Sequence, residues 1–330
     1  MLQSVLRNGS ILARNNSGPA RADLRATRQQ AGRSRRGGGM RCCSVCCSLA
    51  VLSAVGWAAQ TALAQPETDP LWEIGIGAFG LVAPDYPASG ESAFNGLALP
   101  YGIYRGEVLR VDDEDGARVV PVETQAYELS LSAGAAFGAR SEGRGVREGM
   151  PDLDPLIELG PQVIFRGPGF GPETRRGRID LALQARVVAS LDVDTGSVAY
   201  RGLVVEPELA ARWPDALGAG TELRASVGPV FATEALQAYF YDVRPRFVRA
   251  GRPAYEAQGG YLGTDLVVSL SYDLTQRFTA FGGVSAASHA GAANRASPLF
   301  EEDLTGAAFL GVAVILSESA RRVPRRWADR

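Results

Sequence analysis

The sequence predicts an all-β protein: a closed antiparallel transmembrane β-barrel of twelve strands, ten being the alternative, with long extracellular loops and short periplasmic turns. Three observations predict it. An export signal runs over residues 40–64. Behind it come stretches that alternate apolar and polar side chains, each near the roughly 9–11 residues that a tilted strand needs to cross a bilayer. No stretch after the signal reaches the roughly 20 apolar residues of a spanning helix. A secreted chain of this kind satisfies its backbone in lipid only by closing into a barrel. Together these features point to the outer membrane of a Gram-negative bacterium.

The signal has three parts. Arg41 supplies the positive start, Cys42 to Leu52 begin the apolar region, and Ala62-Leu63-Ala64 fits the small-x-small cleavage rule. Residues 1–39 are rich in Arg and Gly and too long for an n-region, so they read as an over-extended N-terminus, with Met40 the start. The barrel is expected over 65–316, and an Arg-rich tail over 317–330. All four cysteines lie in the signal. The mature chain then has no thiol, although its compartment would permit disulfides. Their CCxxCC spacing resembles a metal site or a lipobox only superficially, because cleavage removes them.

Charge divides at the same place. The first 41 residues carry nine Arg and one acid; the remainder carries 25 Arg and 35 acids, a net of −10, and there is no Lys. A mature chain of this balance, without a basic stripe, is a poor nucleic-acid binder.

The clearest strand is 127–137. Tyr127, Leu129, Leu131, Ala133, Ala135 and Phe137 share one face; Glu128, Ser130, Ser132 and Gly134 share the other. The first face is expected to meet lipid and the second the lumen, with the terminal aromatics in the girdles. The same alternation appears at 157–165, 179–190, 203–213 and 222–231. Further strands are expected at 72–82, 97–104, 260–272, 278–288 and 304–316. In 105–125, turns at Arg105-Gly106 and Thr124-Gln125 yield two extra short strands, and so twelve. A chain that runs straight through yields ten. Either even count places both termini in the periplasm. Connections 83–94, 140–153, 233–259 and 289–303 then fall outside the cell, and 214–220 and 273–276 inside, with 166–176 the one longer periplasmic turn. A soluble sandwich or lipocalin-like barrel also alternates, with the apolar face inward.

Few residues suggest chemistry. Gly75 to Gly80 match GxGxxG, but they lie within the first strand and Pro84 follows, whereas a dinucleotide loop needs a strand before it and a helix after. His289 is the only histidine, and Ser288 stands beside it. Neighbouring strand residues point to opposite faces, so the two make a poor catalytic pair. A solvent-exposed histidine at a strand end is the alternative. Asp112-Asp113-Glu114-Asp115-Gly116 could attract a hard cation, yet it reads as a solvated hairpin tip. Tyr239-Phe240-Tyr241 could form a partner-binding knob, a plug or an interfacial anchor.

Several segments resemble the MipA/OmpV family of outer-membrane proteins. They are Asp85-Tyr86-Pro87; Leu99-Pro100-Tyr101 with Tyr104-Arg105-Gly106; Met150 to Asp154 with Glu158 to Pro161; Tyr239 to Val243; Arg252 to Tyr255 with Gly259-Gly260-Tyr261; and Ser297-Pro298-Leu299. The resemblance implies a barrel with no catalytic residue, no cofactor and no metal. It implies a scaffold that holds a lytic transglycosylase near a penicillin-binding protein. The turn 166–176 is the expected docking surface, with Arg166, Phe170, Arg175 and Arg176 as contacts. A small outer-membrane pore, or a solute or antibiotic-response channel, is the alternative. A lipid hydrolase that uses His289 is the third reading. In one respect the chain departs from the pattern: barrels commonly end on an aromatic residue, and this last strand ends near Leu316.

Overall fold

The computed structural model describes residues 68–324, apart from 107–108, 113–115, 144 and 173–174. The expected signal with its cysteines, and the last residues of the expected tail, lie outside that range. The described strands are β1 (Thr68–Pro70), β2 (Trp72–Pro84), β3 (Ser92–Arg105), β4 (Leu109–Asp112), β5 (Gly116–Glu123), β6 (Tyr127–Ala136) and β7 (Leu156–Phe170). They continue as β8 (Gly177–Leu191), β9 (Val198–Pro214), β10 (Thr221–Ala232), β11 (Gly260–Asp273), β12 (Phe278–Ser288), β13 (Leu304–Glu318) and β14 (Arg322–Pro324). One α-helix, α1 (Glu234–Tyr241), sits between β10 and β11.

Each of β2 to β13 pairs antiparallel with its sequence neighbours, and β13 pairs back onto β2, so the ladders form a ring. The ring is uneven. β8 and β9 are joined along almost their full length. β3 and β4 share only Tyr104↔Val111 and Arg105↔Arg110. Among the described residues, the upper part of β3 has a strand partner only on its β2 side. Its lumen-facing Leu97 and Leu99 are accordingly exposed. The remaining strands, β1 and β14, form a separate two-stranded ribbon that joins the two ends of the described chain. The tail expected from 317 is therefore part strand: β13 continues to Glu318, and Arg322–Pro324 pair with Thr68–Pro70.

Period-2 alternation decides which side chains face out. On β8, Leu181, Leu183 and Val187 are exposed, while Ala182, Gln184, Arg186 and Val188 are buried. On β6, Leu129 and Leu131 point out, and Glu128, Ser130 and Ser132 point in. Leu183 is 47 % exposed and its neighbour Gln184 1 %. The barrel is thus apolar outside and polar inside, the reverse of a soluble sandwich.

Buried charge needs a partner, and the interior supplies several. Arg186 Nε lies 2.9 Å from Glu158, and the same guanidinium binds Glu206. Glu222 meets Arg212 at 3.0 Å and Arg224 at 2.5 Å. Arg105 donates to Glu73 at 2.7 Å. An apolar cluster also lies inside near β2, β12 and β13, with Leu81, Phe281 and Phe309 packed together beside Phe79 and Tyr101.

Candidate functional site

The two ends of the ring differ. At one end, here the base, the connections are short. At the other, the mouth, segments 85–91, 137–155, 233–259 and 289–303 are long and fold over the opening. Helix α1 starts after Thr233, whose backbone is extended, and Glu234 in its first turn suits the helix dipole. Gly202 makes the approach possible: a Cβ there would stand 2.4 Å from Thr233 Oγ1, and its φ of +127° suits glycine alone. Leu236, Phe240 and Tyr241 of α1 are buried against Tyr86, Leu153, Leu156, Val204, Val230 and Leu299.

Side chains also satisfy the backbone of these long loops, as buried polar groups require. The Tyr86 hydroxyl donates to Leu299 O at 2.7 Å, and the Tyr241 hydroxyl to Pro87 O at 2.8 Å. Ser297 Oγ donates to Tyr241 O at 2.9 Å. Arg147 reaches Phe240 O at 2.9 Å and stacks 5.5 Å from the Tyr86 ring centre. Arg252 binds Val146 O and Glu148 O. Burial pushes the Tyr86 and Tyr241 hydroxyls well above the usual phenol range, which keeps them donors. Burial likewise raises Tyr239 to about 12. Desolvation lowers Arg147, partly offset by Tyr86 and Tyr239 nearby.

A cavity of about 80 Å³ lies beneath this cap. Tyr86, Leu156, Val230 and Phe240 form part of its apolar lining, and Glu158 and Glu206 its acidic part. Of the three fates open to Tyr239-Phe240-Tyr241, the structure shows the plug. An eight-residue helix gives too little periodicity to read in advance, and its place depends on packing against distant loops.

The docking surface expected at 166–176 is shorter than the sequence suggested. β7 and β8 pair beyond their expected ends, through Arg166↔Asp180, Gly169↔Arg178 and Phe170↔Gly177, with a bulge between Arg166 and Gly169. Pro168 sits in that bulge, where a missing N–H is tolerated. The connection itself is only 171–176. Arg166 therefore lies inside the strand, its side chain 5 % exposed, held by Glu123 at 2.8 Å and Glu128 at 3.1 Å. It also donates to Thr124 O. Phe170 ends β7 and meets Trp213 edge-on at 5.5 Å. Trp213 Nε1 donates to Arg175 O at 3.0 Å. Arg175 and Arg176 are exposed. Phe170 and Arg175 thus come together at the base with Trp213, the last residue of the stretch expected as a strand at 203–213. Arg166 does not join them.

His289 corrects another expectation. It is buried, not solvent-exposed, at 2 %. Its ring contacts Leu262 O, Thr305 Oγ1 and the Ala88 N–H. Ser288 beside it is exposed and is not among these partners. Segment 85–91 must fold over before these contacts exist, and nothing local to His289 announces that. The GxGxxG glycines lie inside β2, as expected. Residues 113–115 of the acidic run lie outside the described residues; Asp112 ends β4 and Gly116 opens β5.

A family model described as MltA-interacting protein MipA matches residues 76–315. No curated protein matches the chain. Among solved structures, the chain is similar to an outer membrane channel from Pseudomonas putida F1, with 11 % identity, 76 % of this chain and 97 % of that one covered, and a TM-score of 0.41. It is similar to Salmonella typhi OmpF in complex with daunomycin, with 7 % identity, 74 % and 97 % coverage, and a TM-score of 0.29. A Pseudomonas aeruginosa FadL homologue shares 11 % identity over 74 % of this chain and 89 % of that one, with a TM-score of 0.28. Likeness at this level says nothing about activity.

Proposed function

The chain belongs to the MltA-interacting protein MipA family, and on that premise we propose that it is an outer-membrane barrel that acts by binding murein-remodelling enzymes in the periplasm. The exposed band of leucines, isoleucines and valines supports the membrane placement. Leaving one such side chain in water forgoes about 1.5–3 kcal/mol, and a lipid surround removes that loss all round the ring. The base, with its short turns, is then periplasmic, and the mouth faces outside.

The observation that carries the binding role is the covered mouth. The cap covers the mouth, and below it the ion pairs of Arg186 and Glu222 tie neighbouring strands together on the inner face. Such a barrel offers its rims more readily than a path through it. The family description names an interaction with MltA, and a lytic transglycosylase, with a penicillin-binding protein beside it, is the partner proposed here. The base offers the exposed Arg175 and Arg176 next to the Phe170–Trp213 pair, cations beside an aromatic pair suited to an acidic patch.

Two experiments test this. Leu183→Arg should destabilise the barrel by about 2–4 kcal/mol in lipid, and Gln184→Arg much less. Equal costs in denaturant unfolding would remove the membrane assignment of the outer face. Replacing 171–176 with an Asn-Gly hairpin should leave assembly intact and abolish recovery of a lytic transglycosylase by envelope cross-linking. Unchanged recovery sinks the role of this turn. The second reading is a narrow pore. The cavity under the cap and the exposed lumen face of β3 favour it, and steady conductance of the purified protein in planar bilayers would put it first.

A further inference from the structure

Segment 85–91 is fastened to the mouth around one residue. Ala88 is fully buried and holds φ +61°, a left-handed conformation that alanine rarely adopts. Its carbonyl accepts from Glu301 N at 3.0 Å and Glu302 N at 3.1 Å. Its N–H donates to His289 Nε2 at 3.1 Å. Chemistry settles the tautomer of that imidazole. Leu262 O, 3.0 Å from Nδ1, can only accept, so Nδ1 carries the proton. The Ala88 N–H can only donate, so Nε2 must be bare. The Thr305 hydroxyl, 2.9 Å away, donates to the same nitrogen. The ring fits because residue 263 is glycine: a Cβ there would lie 2.8 Å from Nδ1. Phe300 closes over it edge-on at 6.3 Å.

We propose that His289 is a proton-operated latch, and that protonation of its Nε2 releases segment 85–91 from the mouth and opens access to the cavity beneath. A proton on Nε2 would face the Ala88 N–H donor to donor, with the ring sealed from water. The segment carries Tyr86 and Pro87, both lining that cavity, so its release uncovers the site. The proposal holds whether or not the barrel conducts or binds a murein enzyme.

Charged groups face His289 from more than one element. Burial is the largest influence on His289 and holds it below its ordinary value; the bond to Leu262 O and the fields of Asp265 and Asp303 pull the other way. Asp265 comes from β11. Asp303, from the 289–303 connection, is itself bound by Arg295 at 2.7 Å. Glu301 accepts from Gly90 N at 3.0 Å, and the Tyr86 hydroxyl lies 3.4 Å from it. β13 presents the neutral Thr305. The sign then follows from linkage. A group whose closed-state affinity for protons is depressed stabilises closure above its open-state pKa, about 6.5 for histidine. That stabilisation is lost as the pH falls below this value, down to the closed-state pKa.

The full chain, reconstituted in lipid nanodiscs, provides the test. His289 is the only histidine, so its imidazole resonances are unambiguous. On acidification, the imidazole and the Ala88 amide resonance should shift with one midpoint. Hydrogen exchange of 85–91, corrected for its intrinsic pH dependence, should lose protection by up to about tenfold per pH unit below 6.5. H289Q can place an amide oxygen before Ala88 N and a donor before Leu262 O, so it should stay protected in acid. Protection that is constant from pH 7.5 to 4.5 overturns the proposal. So does an equal acid response in H289Q, which would assign the effect to the carboxylates. If H289Q does not assemble, the wild type decides: imidazole protonation that leaves the Ala88 amide unmoved also overturns it.

Discussion

The mouth and the base of this barrel hold their connections in different ways. At the mouth, side chains do the holding. Tyr86, Arg147, Tyr241 and Ser297 reach across from one loop to another and donate to carbonyls far away in sequence. At the base, the strand ladders do most of it, with Trp213 and Arg166 adding single bonds to the Arg175 and Thr124 carbonyls. The turn 215–220 is closed by Thr221 and Asp215 acting on their own neighbours, and 274–277 by Thr275. Long connections cannot be satisfied by their flanking strands, so they need a core of their own. Short turns need none, and so leave their side chains free to meet something else.

That contrast can be broken by substitution. The largest effect is expected at the mouth. Phe240→Ala removes a buried ring from the centre of the cap and should cost about 3–5 kcal/mol, read as lost hydrogen-exchange protection of the four mouth segments together. Arg147→Ala leaves the Phe240 and Pro151 carbonyls without this donor and should cost about 1–3 kcal/mol by the same measurement. Tyr241→Phe removes only the bond to Pro87 O, and about 1 kcal/mol should go with it. The smallest effect belongs to the base: the Asn-Gly replacement of 171–176 should stay within about 0.5 kcal/mol in denaturant unfolding. A base turn that costs as much as Tyr241→Phe would erase the distinction between the ends.

Legibility divides along the same line. The wall could be read because its signal is local. Leu181 and Leu183 alternate with Ala182 and Gln184 whatever the rest of the chain does, and every one of them faces as its position predicts. The short hairpin of β4 and β5 could be read from the turn residues around it. The cap could not. Phe240 and Tyr241 are in place because Tyr86 and Leu299 meet them, and His289 is buried because Ala88 comes to it from 201 residues away. The turn expected at 166–176 came out shorter for a related reason. Proline marks a turn where the chain is free to turn, but here β8 keeps pairing and Pro168 falls in a bulge. Arg166, taken for a docking contact, is drawn inward by Glu123 and Glu128, and neither pairing is visible in sequence order.

The ribbon of β1 and β14 has a consequence for biogenesis. Thr68 pairs with Pro324, and Ile76 with Val314, so the first strands find their last neighbours only when the end of the chain arrives. The entropy of closing so long a loop rises slowly, by about 0.6 kcal/mol for each doubling of length; the difficulty is therefore one of timing. Until β13 docks, β2 shows a bare edge of apolar strand, an invitation to pair with a wrong chain. A ribosome that stalls before Leu304 would release a product with two such edges and nothing to join them. Such a product would be a substrate for chaperones and proteases, not a smaller barrel.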